Sequence, residues 1–369
     1  MRRVLLVGGG HAHVEVVRRL GPACPAGVEV VLVSPETDTP YSGMLPGLVA
    51  GHYSWRECHI DLVGLCARSR VVFRQGALVA LDAGARVARL EDGSSMEWDW
   101  LSLDVGSTPP VDRIEGAHEH GMAVKPVNLF LEGWEALLAR ARSTPLRLAV
   151  VGGGAGGVEL AFALRYRLDH DSGEGGPCDL TLVSQSGCIL PDHALGVRRR
   201  VEAALRRAGV GLLMGAAVGR ATAEGLELRD GGLVPCHCAL WATGAAAPRW
   251  LRTSGLALDA QGFVQVDATL RSISHPKVFA AGDVAALMPR GVPKSGVYAV
   301  RQGPVLAGNL LRGLEGHAPR RFLPQQQALA LMSTGSRYAI ASRGAFHMEG
   351  AWVWCWKDRI DRAFMARYA

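Results

Sequence analysis

The chain of 369 residues is long enough for two domains, is 49% hydrophobic with 46 glycines, and carries a net charge of +6. No stretch approaches the ~18 continuous apolar residues of a membrane span, and no nucleic-acid module is visible. The four apolar residues after Met1-Arg-Arg are too few for a signal peptide. These bounds lead us to expect a cytoplasmic α/β protein, free or attached at the inner face of the cell membrane. Its basic charge suits an anionic partner or reflects an arginine-rich composition. The eight cysteines include no C-x-x-C and suit reduced thiols.

Val4 to Val7 predict a buried strand, Gly8-Gly9-Gly10 a tight turn, and Glu15 to Leu20 a helix. Such a unit points backbone N–H groups and the positive helix end at one place, which suits a pyrophosphate. Gly8 and Gly10 fill the first two positions of the G-x-G-x-x-G fingerprint, while His13 stands at the third. The next strand, Val28 to Val33, ends at Ser34, with Glu36 beyond it, where an acidic residue commonly binds a ribose. Thr39 to Gly51 form a loop rich in Gly and Pro yet mostly apolar. It is expected to cover a flat apolar group such as an isoalloxazine, or to pack under a neighbouring domain.

From Val71 to Val105 short strands alternate with turns, which predicts a β-meander closing in Leu103-Asp-Val-Gly-Ser-Thr-Pro109. A linker, Glu115 to His120, and an amphipathic helix, Asn128 to Arg142, lead to a second fingerprint with Gly152, Gly154 and Gly157 all in place. The two fingerprints start 144 residues apart, a domain length. Two dinucleotide sites imply two nucleotides, one passing electrons to the other. The strand Leu180 to Val183 ends in Ser184-Gln185, with neither an acid to repel a 2′-phosphate nor an arginine to attract one. NADH and NADPH therefore both stay open. A second meander, Gly211 to Leu240, closes in Leu240-Trp-Ala-Thr-Gly244 and echoes residues 103–106. Phe263 to Ser272 then lead to Val278-Phe-Ala-Ala-Gly-Asp-Val284, which sets Asp283 at the tip of a turn, suited to a polyol hydroxyl. Cys236-His-Cys238 lacks a second ligand pair at zinc spacing, and no metal site is expected.

This ordered set of motifs, over residues 1 to about 320, resembles the two-dinucleotide-binding flavoproteins of the pyridine nucleotide–disulfide oxidoreductase superfamily. The resemblance implies an α/β fold of two Rossmann-like, three-layer domains, each with a β-meander. FAD would occupy a discontinuous domain, 1–115 and 245–320, and NAD(P)H the domain 116–244, with 321–369 a C-terminal extension. The FAD set is Gly8, Gly10, His11, Ala12, Ser34, Pro35, Ser42, Gly43, Met44, Leu78, Gly106, Ser107, Gly282, Asp283, Val297 and Tyr298. Gly152, Gly154, Gly157, Ser184 and Gly244 would serve the nicotinamide dinucleotide. Glu159 matches a residue near the nicotinamide in relatives, or is an ordinary carboxylate at a helix start. Lys125 and Lys294 are candidates to stabilise a reduced ring, or are surface lysines.

The departures narrow the branch. No cysteine pair stands where disulfide reductases carry one, and Cys178 and Cys355 do not clearly match the cysteines of sulfide:quinone oxidoreductases. The chain is similar to type II NADH dehydrogenases, which pass electrons from flavin to a quinone without cysteines. Of their Ala-Gln-x-Ala-x-Gln-type quinone segment, Ser295 to Gln302 keep Ala299 and Gln302 but carry Val297 and Arg301 for glutamines. Loop 41–48 and residues 291–303 would line the acceptor side. The Thr39 to Gly47 run resembles a bacterial subgroup fused to, or encoded beside, selenophosphate synthetase. The alternatives are a non-catalytic flavin-binding partner in selenium metabolism and a sulfide:quinone oxidoreductase-like enzyme. A homodimer is left open. In the tail, Trp352, Trp354 and Trp356 alternate as on a strand, while Ile360 and Phe364 share a helix face. The extension would cap the FAD domain or touch the membrane.

Overall fold

A computed structural model describes residues 1–171, 176–289, 291–325 and 327–369. Two five-stranded sheets, parallel throughout, organise them. In the first, the strand order is Val278–Ala280, Trp100–Leu103, Arg2–Val7, Val28–Ser34 and Val72–Gln75. In the second it is Gly121–Ala123, Cys238–Trp241, Arg147–Val151, Asp179–Ser184 and Val210–Met214. Parallel strands covered on both faces need continuous apolar runs. The central strands supply them: Val4, Leu5 and Leu6 in one sheet and Ala149 and Val150 in the other are fully buried. This is the two-Rossmann arrangement expected.

Each sheet carries an antiparallel meander, Leu78–Asp82 with Val87–Leu90 and Ser95–Glu97, and Val218–Ala221 with Gly225–Leu228 and Leu233–Pro235. Both meanders are shorter than their sequence suggested. Val72–Gln75 and Val210–Met214 pair in parallel with the main sheets instead. Short apolar runs look alike in either setting, and only the partner strand distinguishes them.

The tail corrects a second expectation. Its tryptophans lie on a helix, Ala351–Met365, which follows an antiparallel sheet of Ala330–Ser333, Ala339–Arg343 and Phe346–Gly350. Burial there follows a helical period, through Val353, Trp354, Lys357, Asp361 and Phe364. Pairs four residues apart, Lys357 with Asp361 and Arg362 with Asp358, reinforce that period over the alternation of tryptophans. The extension joins both halves: Phe364 and Tyr368 complete the core around the first sheet, and Met332 and Ile340 that around the second.

Candidate dinucleotide sites

Both glycine turns are built alike. Gly8 and Gly152 adopt positive φ, +94° and +134°. A Cβ on either would stand 2.4 or 2.3 Å from the carbonyl oxygen of the neighbouring strand end, Asp104 or Ala242. Only glycine permits that approach. Beside each turn a serine closes the next strand: Ser34 Oγ lies 3.2 Å from where a Cβ of Gly9 would be, and Ser184 Oγ 2.6 Å from that of Gly153.

At the third fingerprint position they part. Gly157 presses on Gly152, where a Cβ would meet the carbonyl oxygen at 1.9 Å. His13, at the same place in the first turn, is fully buried and reaches the matching carbonyl with its ring. Nδ1–H donates to Gly8 O at 2.7 Å, and Nε2 accepts from the Ser102 hydroxyl at 2.8 Å. That arrangement needs a neutral imidazole, and burial does push its pKa down to about 4, against the Gly8 hydrogen bond.

A cavity of about 420 Å³ opens from the first turn. Of the residues read from sequence, Gly8, Gly10, His11, Ser34, Pro35, Ser42, Leu78, Gly106, Ser107, Lys125, Gly282 and Asp283 line it. Asp104, Asn128 and Trp250 line it too and were not anticipated. Asp283 Oδ2 accepts from Ser107 Oγ at 2.8 Å and Lys125 Nζ at 3.1 Å. Burial opposes its charge, yet Lys125 and Ser107 hold the carboxyl below its ordinary range. Burial first, then Lys125, pull His11 down to about 4. The polar groups fit a dinucleotide: a glycine turn at the cavity mouth for phosphate, a serine at the strand end, and a carboxylate to accept from a polyol.

Glu36 and Ala299 line the cavity as well, and other residues read from sequence lie outside that lining. Ala12 is in the core, its N–H donating to Asp104 Oδ2 at 2.8 Å. The apolar loop divides by residue. Thr39, Pro40 and Ser42 face the cavity, while Tyr41 stacks on Phe364 at 4.3 Å and Gly43 O accepts from Lys357. Met44 is fully buried beneath the same helix, beside Val353 and Trp354. Val297 is exposed and Tyr298 donates to Gln325 O at 3.3 Å. Gln302 Oε1 accepts the Gly282 N–H at 2.6 Å, and so fixes the turn that presents Asp283. Lys294 donates to Ala285 O at 2.6 Å and lies over the Phe263 ring; burial lowers it to about 8.

Around the second turn, a Cβ on Gly154, Gly156 or Gly244 would meet nothing within 4 Å. Glu159, one turn into the helix Ala155–Asp171, accepts the Ser333 N–H at 2.9 Å. Burial raises its carboxyl to about 7, opposed by Lys357 and this hydrogen bond and reinforced by Asp361. Cys236 and Cys238 flank His237, whose Nδ1 accepts the Arg147 N–H at 3.0 Å in a strand-edge contact.

The Pyridine nucleotide-disulphide oxidoreductase family model matches residues 2–303. The chain belongs to that family. It is 27% identical over 351 residues to the demethylphylloquinone reductase NdbB of Synechocystis, covering 90% of this chain and 85% of that protein. An NADH dehydrogenase-like protein of Mycobacterium tuberculosis is 30% identical over 298 residues, 78% of this chain and 73% of its own length. Among solved structures, the sulfide:quinone oxidoreductase of Aquifex aeolicus superposes with a TM-score of 0.83, covering 100% of this chain and 91% of its own, at 18% identity. At that identity the likeness is one of fold. The family pairs two Rossmann domains in one chain, and this member keeps both glycine turns.

Proposed function

We infer that the protein is an FAD-dependent NAD(P)H dehydrogenase of the type II NADH dehydrogenase-like branch, with a quinone as electron acceptor. The single observation that carries this reading is the duplicated turn. One copy opens into a cavity with a carboxylate suited to a polyol hydroxyl, and the other leaves open space before a helix N-terminus. The relatives named above, a demethylphylloquinone reductase and an NADH dehydrogenase-like protein, support the same donor and acceptor classes.

FAD would lie on 1–115 and 245–320, held by Gly8 to His11, Ser34, Ser107 and Asp283, and the nicotinamide dinucleotide on 116–244. When bound, FAD supplies a two-electron relay between nicotinamide and quinone. The chain's own part is alignment and electrostatics. Asp283 is held as a carboxylate by Lys125, ready to accept a hydroxyl hydrogen bond. Gln302 locks the turn beneath it. Glu159, raised to about 7 in a buried seat, is able to hold or release a proton near neutrality.

Cysteines have no part in this scheme. All eight are free thiols, and burial pushes Cys58 and Cys66 up to about 12, far from a reactive thiolate. No helix among the described residues is long and apolar enough to cross a membrane. A peripheral contact is supported by Trp352, Trp356 and Ile360, which are 55%, 40% and 41% exposed on the last helix. The non-catalytic, selenium-linked alternative draws on His13 in place of glycine and on the missing glutamines at 297 and 301, yet His13 fills its contact with hydrogen bonds of its own.

Denatured protein should release FAD on chromatography, and a variant lacking all eight cysteines should keep NADH-driven reduction of a water-soluble quinone. Release of FMN alone, or loss of quinone reduction with full flavin content, contradicts the reading.

A further inference from the structure

Asp104 sits where the two turns differ most. Its counterpart in the second domain is Ala242, since the carbonyl of each stands against the first glycine of its turn. Space at the second turn is open, whereas a Cβ on Gly10 would lie 2.4 Å from the Asp104 carboxyl. Asp104 Oδ2 accepts the N–H of Ala12 at 2.8 Å and of His13 at 3.0 Å. These are two of the four N–H groups that the first helical turn leaves unpaired. A carboxylate borne by another strand thus caps the helix end at which a diphosphate has to arrive. It lines the cavity and is only 3% exposed.

We propose that Asp104 couples dinucleotide binding at the first turn to the uptake of one proton, so that the cofactor is held more tightly at acid than at alkaline pH. This rests on the reading of that turn as the FAD site. A diphosphate and an ionised Asp104 on one helix end repel each other, and protonation of Asp104 relieves the repulsion. Burial already raises this carboxyl to about 7, with the Ala12 and His13 N–H groups pulling it back and Asp283 pushing it up. A second anion raises it further, and the difference between free and loaded protein is the proton taken up. The sign follows. The loaded form binds the extra proton, so affinity is full below the pKa of the free protein and falls as pH rises through and above it.

His11, Glu36, Asp38, Lys125 and Asp283 line the same cavity, while His13 is buried on the helix and Lys294 lies outside the lining. His11 and His13 on the helix are neutral throughout this range, and Asp283 stays ionised against Lys125. Lys294, lowered to about 8 by burial against the pull of Asp283, loses charge in the same window and is a rival source of the effect. A neutral isostere at position 104 separates the two. In Asp104→Asn the amide oxygen still accepts from Ala12 and His13.

The test dilutes the loaded protein and reads release of fluorescent FAD. Between about pH 6 and about pH 9 the wild type should weaken at least tenfold, while Asp104→Asn holds FAD equally at both. A flat wild type, or an Asp104→Asn variant with the wild-type slope, overturns the proposal. Should that variant fail to fold, FAD added to weakly buffered wild-type apoprotein near pH 8 should take up close to one proton per FAD bound, and no uptake overturns the proposal. Protein that holds no FAD at any pH instead removes the site reading itself.

Discussion

The two glycine turns start from the same plan and solve the helix–strand contact differently. In the second, Gly157 lets the helix press on the Gly152 carbonyl and leaves the helix end open. In the first, His13 fills that contact and hydrogen-bonds the matching carbonyl, while Asp104 caps the helix end. The first turn is therefore an internally hydrogen-bonded network at the mouth of a cavity, suited to a group that stays. The second is a bare anion seat, suited to one that comes and goes. A fingerprint residue can be replaced when another group satisfies the same carbonyl.

The largest expected effect comes from blocking the bare seat. A Cβ on Gly154 meets nothing within 4 Å, so a side chain there starts in open space, where a pyrophosphate would otherwise lie. Gly154→Val should keep its FAD, lose reduction by NADH by at least about a hundredfold, and still bleach with dithionite, as stopped-flow spectra would show. A variant emptied of flavin with nicotinamide binding intact would reverse the assignment of the two turns.

Making the first turn a copy of the second is the next test. His13→Gly restores the fingerprint but strands the Gly8 carbonyl and the Ser102 hydroxyl, each at about 1–3 kcal/mol. The urea midpoint should fall. An unchanged midpoint would mean that the imidazole bonds contribute nothing. A smaller effect is expected at the cavity rim, where Asp283→Ala removes one charge-assisted hydrogen bond to the cofactor, about 1.5–3 kcal/mol, and lowers FAD occupancy without unfolding the chain. Occupancy at the wild-type level would remove Asp283 from the site.

Much of the fold was legible because periodicity and turn chemistry carry it. The parallel strands, both turns and the helix Val127–Ala141 all show in local pattern. What local pattern cannot hold is partner choice, hence the misplacement of Val72–Gln75 and Val210–Met214. The first half of the last helix was misread because alternating tryptophans outweighed the paired charges at 357, 358, 361 and 362, while the helix around Ile360 and Phe364 was expected. Much of the cavity lining followed from motif order. Asp104 escaped because its role depends on two amides 92 and 91 residues away in sequence, which only the fold brings to it.

The central claim is that the two turns hold two different dinucleotides in electronic contact. Anaerobic titration of the purified protein with NADH, followed in the visible spectrum, tests it most directly. Flavin absorbance should bleach with about one NADH per flavin and return on addition of a quinone. A flavin that stays oxidised under excess NADH and excess NADPH, in protein that dithionite still bleaches, would contradict the account.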